Sequence, residues 1–202
     1  MNLPNSLTIT RIFLVPLLVV VLLTQFEGRR ILGVPKEIVG AAIFTLASIT
    51  DWLDGYLARR RKQVTPFGQF VDPLADKLLV LAALISLVQM ELAPPWMVWT
   101  IIGREFAVTA LRSIAYARDV VMPPSPLGKT KMVAQVIAVL ALILGRDRLG
   151  AFLAVGQAAL WVVVVAALVS AVDYFVRFNA LVNPRLVDVT AAGKRGENRK
   201  AG

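Results

Sequence analysis

The sequence predicts an all-α fold, a polytopic membrane protein of six transmembrane helices. Three observations predict it. First, 57% of the 202 residues are hydrophobic, against roughly 45–50% in soluble domains, and the mean hydropathy is +0.70. Second, the apolar residues gather into six runs, each near the ~20 residues that cross a hydrocarbon core of ~30 Å. Third, a chain in lipid must satisfy each backbone N–H and C=O internally, so runs of this length are helices.

The first span, residues 7–23, contains Arg11 and Pro16 and is followed by no small-x-small site, so it reads as a helix and not a cleaved leader. The second, 37–60, closes on Asp51 and Asp54, and the third, 72–90, opens on Asp72 and Asp76. The fourth, 95–117, starts at "PPWMVW" and carries Arg104, Glu105 and Arg112. The fifth, 128–144, is the shortest and stops before "GRDRLG"; the sixth is 151–178. Residues 1–183 show no internal repeat or linker and read as one catalytic domain. The basic tail 184–202 is too polar to bury a core and reads as disordered. Trp96, Trp99 and Trp161 read as interfacial anchors.

Lysine and arginine set the orientation. One set of loops holds "ARRRK" at 58–62, Arg118, Lys129, Lys131 and the tail cations; the other holds Arg29, Arg30, Lys36, Arg146 and Arg148. The richer set is predicted to be cytoplasmic. Both termini are then predicted to face the cytoplasm. The chain has no cysteine and no histidine, which removes disulfides, zinc–thiolate centres and every triad built on histidine. Catalysis falls to carboxylates, hydroxyls, lysine and arginine. The net charge of +9 reads as attraction to anionic lipid. It does not read as nucleic-acid binding, because the cations do not interleave with aromatics.

Four aspartates in a greasy chain require an explanation. Asp51, Asp54, Gly55 and Ala58 fall at i, i+3, i+4 and i+7, one helical face. Gly68, Asp72 and Asp76 fall at i, i+4 and i+8, again one face if the third helix starts early. A short loop makes the two helices antiparallel neighbours, so two carboxylate pairs can face one another at the cytoplasmic surface. Such a cluster is costly near a bilayer and needs compensating charge. Two hard divalent cations, Mg²⁺ or Mn²⁺, about 4 Å apart would supply it. Gly55 and Gly68 leave room for a ligand or another backbone to approach. Pairing with Arg59, Arg60 or Lys77 is a plainer alternative for any single aspartate. A cation-coupled transporter is a functional one, but it would place its acids near the midplane.

The pattern D-x-x-D-G-x-x-A-R, eight residues, G-x-x-x-D-x-x-x-D resembles the signature of the CDP-alcohol phosphotransferases. Every position is present: Asp51, Asp54, Gly55, Ala58, Arg59, Gly68, Asp72 and Asp76. "NLPNSLTITRIFLVP" at 2–16, "REFAVTALRS" at 104–113 and "GKTKMVAQ" at 128–135 extend the likeness to the bacterial branch that takes sn-glycerol 3-phosphate as acceptor. The resemblance implies a six-helix bundle, a homodimer, and an active site open to the cytoplasm. It implies transfer of a phosphatidyl group from CDP-diacylglycerol to glycerol 3-phosphate, with release of CMP. Serine, an inositol phosphate or phosphatidylglycerol would be the acceptors of sister branches.

The resemblance also implies roles. Asp51, Asp54, Asp72 and Asp76 would hold the metals, and Asp76 would also take the proton from the attacking hydroxyl. Asp51, Gly55, Ala58, Arg59, Gly68 and Asp72 would contact CDP-diacylglycerol. An acceptor phosphate demands cations, and Arg104, Arg112, Lys129 and Lys131 are the candidates. Each has an ordinary alternative: Arg104 as a structural ion pair with its neighbour Glu105, the others as interfacial cations. Arg11 reads as facing an acid or a lipid phosphate.

Overall fold

The computed structural model describes the backbone of residues 3–24, 30–31, 33–61, 66–118, 126–146 and 150–182, and the side chains of 9–24, 31, 33–50, 74–75, 77–118, 130–146 and 150–181. Among these residues there are six α-helices: α1 (Leu3–Leu23), α2 (Lys36–Arg61), α3 (Pro66–Gln89), α4 (Pro95–Tyr116), α5 (Pro126–Gly145) and α6 (Gly150–Val182). Among the described residues the one pair of strands is a hairpin between α1 and α2. There β1 (Arg30–Ile31) pairs antiparallel with β2 (Val34–Pro35) around Gly33, whose φ of 82° favours glycine.

The helices outrun the apolar spans that mark them. α1 starts at Leu3, α3 at Pro66 and α5 at Pro126, earlier than the hydropathy boundaries at 7, 72 and 128. Hydropathy reports where lipid-compatible sequence ends, whereas a helix continues while its backbone bonds do. Proline at the first helical position has a pre-set φ and lacks only a donor that would be unsatisfied anyway, and α3, α4 and α5 all open on one. α6 has 33 residues, roughly 50 Å at 1.5 Å per residue. Within it, Gly150–Leu181, with a mean hydropathy of 2.4, is the one stretch among the described residues long and apolar enough to cross a bilayer by itself.

The contacts divide the chain into two compact units: Met1–Val98 with Met132–Val162, and Trp99–Lys131 with Val163–Gly202. In the first, α1 lies against both α2 and α3. Leu18 and Leu22 from α1, Phe44 and Ala47 from α2, and Leu84 and Leu87 from α3 are buried in its core. A Cβ on Gly40 would collide with the Leu22 side chain, so the glycine permits close approach of α1 and α2. Lys36, buried, donates to the carbonyls of Leu22 at 2.8 Å and Thr24 at 3.0 Å. It thereby satisfies acceptors that the end of α1 leaves open. α3 ends in a Schellman turn: Glu91, φ 61°, donates to Val88 O and Leu92 to Leu87 O. Gln157 of α6 then donates to Leu92 O at 3.1 Å, tying α6 to that turn.

In the second unit, Val108 and Ala115 of α4 are buried against Tyr174 of α6, with Phe178 packed beside them. Positions 108 and 115 are two turns apart on α4 and 174 and 178 one turn apart on α6, so each pair lines one stripe.

Candidate functional site

α2 runs unbroken through Asp51, Asp54, Gly55, Ala58 and Arg59, and α3 runs through Gly68, Asp72 and Asp76. The early start of α3 at Pro66 meets the condition for Gly68, Asp72 and Asp76 to share a face. The side chains of these eight residues, and of Lys129, lie outside the described residues. Among the described residues there is no group of three or more potential metal ligands.

The described part of the site is the cation cluster of the second unit. Arg104 Nη1 donates to Glu105 Oε1 at 2.9 Å, and its Nη2 donates to the Ser170 hydroxyl. Lys131 Nζ is paired with the same Glu105 oxygen. The Arg104 guanidinium also lies 5.9 Å from the centroid of the Tyr174 ring, within cation–π range. Three helices thus converge: α4 supplies Arg104 and Glu105, α5 supplies Lys131, and α6 supplies Ser170 and Tyr174, one turn apart.

Burial makes this cluster unusual. The side chains of Arg104 and Lys131 are 8% and 5% exposed, and Glu105 is 31% exposed. Among the described residues, two nearly buried basic side chains therefore share one carboxylate, which balances only one of them when both are protonated. Arg104 Nε is buried without a hydrogen-bond partner among the described residues. Buried charge is tolerated when paired and fully hydrogen-bonded; here the pairing is incomplete, and an anion with several acceptor oxygens would complete it. The sequence left Arg104 open between an ion pair with Glu105 and phosphate binding, and the pair is present. Lys131 joins it. Arg112, although two turns further along α4, is exposed and takes no part in this network among the described residues.

A second feature lies in the first unit. α2, α3 and α5 enclose a groove of about 400 Å³ with an almost wholly apolar lining, including Ile49, Leu79, Val133 and Val136. Ser48 and Ile49 precede Asp51 by one turn or less, and Leu79 and Val80 follow Asp76 by about one turn. The groove therefore adjoins the segments that carry the aspartates.

A family model for CDP-alcohol phosphatidyltransferase matches residues 1–172. The chain belongs to that family. It is 49% identical over 181 residues to a CDP-diacylglycerol–glycerol-3-phosphate 3-phosphatidyltransferase of Bacillus subtilis, covering 86% of this chain and 93% of the relative. A Rickettsia bellii protein of the same name is 38% identical over 176 residues, with the same coverage. One from Salmonella choleraesuis is 40% identical over 153 residues, covering 73% of this chain and 79% of the relative.

Ser170, Tyr174 and Gln135 were not singled out from sequence. The available signal was weak: each is a polar group set in a long apolar helix, and polar groups inside membrane spans often serve function.

Proposed function

We propose that this family member transfers a phosphatidyl group from CDP-diacylglycerol to sn-glycerol 3-phosphate, forming phosphatidylglycerophosphate and CMP. The observation that carries the reading is near full-length likeness, at up to 49% identity, to enzymes named for that reaction, in a chain that keeps all eight signature residues. The cation cluster supports the acceptor. A phosphate dianion would neutralise the charge left by Arg104, Lys131 and Glu105, and Arg112 and Lys129 are the further candidates at that pocket. Serine, having no phosphate, would leave the cluster without a purpose.

Asp51, Asp54, Asp72 and Asp76 would hold two Mg²⁺ or Mn²⁺ ions, as their carboxylate chemistry suits hard cations. When bound, such ions neutralise the diphosphate and stabilise charge on the displaced oxygens. Asp76 would accept the proton of the acceptor's primary hydroxyl as it attacks the β-phosphorus, and CMP would leave. Gly55, Ala58 and Gly68 would leave room for the cytidine, with Arg59 beside the diphosphate.

The six helices are read as six spans of a bacterial inner membrane, with termini and site cytoplasmic and the chain a homodimer. The surface of α6 supports the lipid setting: Val162, Val165, Val169, Val172 and Val176 are all exposed, a contiguous apolar stripe that water would disfavour. Five helices besides α6 would then span through neighbours that shield their polar positions.

Purified protein incubated with CDP-diacylglycerol, Mg²⁺ and labelled glycerol 3-phosphate is expected to move label into the lipid phase and release equimolar CMP. CMP release only with another alcohol would overturn the acceptor, and none with any alcohol would overturn the reaction. Asp76→Asn is expected to abolish turnover while largely sparing nucleotide binding. Loss of binding equal to that in Asp51→Asn would instead make Asp76 chiefly a metal ligand.

A further inference from the structure

We propose that Gln135 reads the ester linkage of the donor lipid, donating its side-chain N–H to an acyl carbonyl in the groove between α2, α3 and α5. This rests on the reaction proposed above and adds to it a residue that selects for acyl over alkyl chains.

Gln135 is 5% exposed, and its Nε2 has no hydrogen-bond partner among the described residues. It lines the 400 Å³ groove. The hydroxyl-bearing residues there are spent as donors: Thr45 donates to Ala41 O at 2.7 Å and Ser48 to Phe44 O at 2.8 Å. Among the described lining residues, Gln135 thus keeps an unused amide donor beside an otherwise apolar space. Its volume lies within the roughly 300–1,000 Å³ of small-molecule sites. The ligand that fits must be mostly hydrocarbon and must carry a neutral acceptor near one end. A fatty acyl ester has that composition.

The position agrees with the chemistry. The groove begins about one helical turn, ~5.4 Å, from Asp51 on α2 and from Asp76 on α3. In a CDP-diacylglycerol the ester carbonyls sit a few bonds from the diphosphate. With the diphosphate at the aspartates, an ester reaches the level of Gln135. The chain continues past Met132, Val133 and Ile137, which are exposed at the groove.

The test compares CDP-diacylglycerol with a CDP-dialkylglycerol of equal chain length, using the full chain and saturating glycerol 3-phosphate. An ether oxygen replaces the ester and removes the carbonyl. Losing one neutral hydrogen bond and stranding its buried donor is expected to raise the wild-type KM for the dialkyl lipid roughly five- to tenfold, with kcat little changed. Gln135→Leu and the closer-shaped Gln135→Met are expected to raise KM for the diacyl lipid by a similar factor and to leave the dialkyl lipid unaffected. Equal use of both lipids by wild type would overturn the inference without needing any variant. So would variants that weaken both lipids alike, since that is the mark of a merely structural amide. Wild type that turns over neither lipid would overturn the reaction assignment, and this inference with it.

Discussion

Two of the buried cation sites invite comparison. At the end of α1, Lys36 is buried and spends donors on the carbonyls of Leu22 and Thr24; Glu37, the next residue, is buried too. At the α4–α5–α6 cluster, Arg104 and Lys131 are buried around the single carboxylate of Glu105. At the first site the lysine closes the end of a helix through backbone carbonyls, and the Glu37 carboxylate beside it has no hydrogen-bond partner among the described residues. The second carries two positive charges against one and keeps an unpartnered Arg104 Nε. The difference teaches a rule for this chain. A buried cation whose donors serve backbone carbonyls holds the fold, whereas buried cations that outnumber the carboxylate they share mark a place for a ligand.

The sharpest way to break that distinction is at Arg104. Arg104→Ala is expected to lower kcat/KM for glycerol 3-phosphate by about 10²-fold or more, since charge-assisted pairs to phosphate contribute about 1.5–3 kcal/mol each and the guanidinium offers several. KM for the acceptor should carry most of the loss, and the Tm without substrate should move little. Arg104→Lys should recover only part, because a point charge does not reproduce the planar fork. A large fall in Tm with an unchanged acceptor KM would assign Arg104 to the fold and erase the contrast with Lys36.

Lys36→Met should do the reverse. The stem is kept and the ammonium is lost, leaving the carbonyls of Leu22 and Thr24 without that donor. Hydrogen bonds to charged groups contribute about 1.5–3 kcal/mol, so a loss of roughly 2–4 kcal/mol is expected. For a chain of this size that is a fall in Tm of about 5–15 °C, followed by scanning fluorimetry in detergent. The KM values for both substrates should stay within about twofold of wild type once the folded fraction is corrected for.

What was legible in the sequence followed from covalent spacing. The six helices and the shared faces of Asp51/Asp54 and Asp72/Asp76 are periodicities, and a helix converts them into geometry directly. The start of α3 at Pro66 was less so, because residues 66–71 are mixed in polarity and hydropathy alone marks the apolar edge at 72. The hairpin at 30–35 escaped because strands of two residues have no periodicity to detect. Ser170 and Tyr174 escaped for another reason. Their meaning depends on Arg104, sixty-six positions from Ser170, and nothing local to α6 announces that partner. Gln135 reads locally as one amide in "MVAQVIAVL"; only the arrangement of α2, α3 and α5 turns it into an unpaired donor in a groove.

The smallest expected effect probes what Glu105 does between its two cations. It neutralises one buried positive charge and so stabilises the empty pocket, but the same carboxylate opposes an incoming phosphate. Glu105→Gln keeps the shape and one acceptor for Arg104 while removing the charge. The Tm without ligand is expected to fall by a few degrees, about 2–4 °C for each kcal/mol lost. The same substitution should strengthen phosphate binding, because a pocket with two uncompensated cations gains more from a dianion. The rise in Tm on adding saturating glycerol 3-phosphate should therefore be larger in the variant than in wild type, as binding to the folded state adds stability in proportion to the logarithm of affinity. A smaller ligand-induced rise would mean that Glu105 positions Arg104 and Lys131 for the phosphate, and that the surplus charge alone does not make the site.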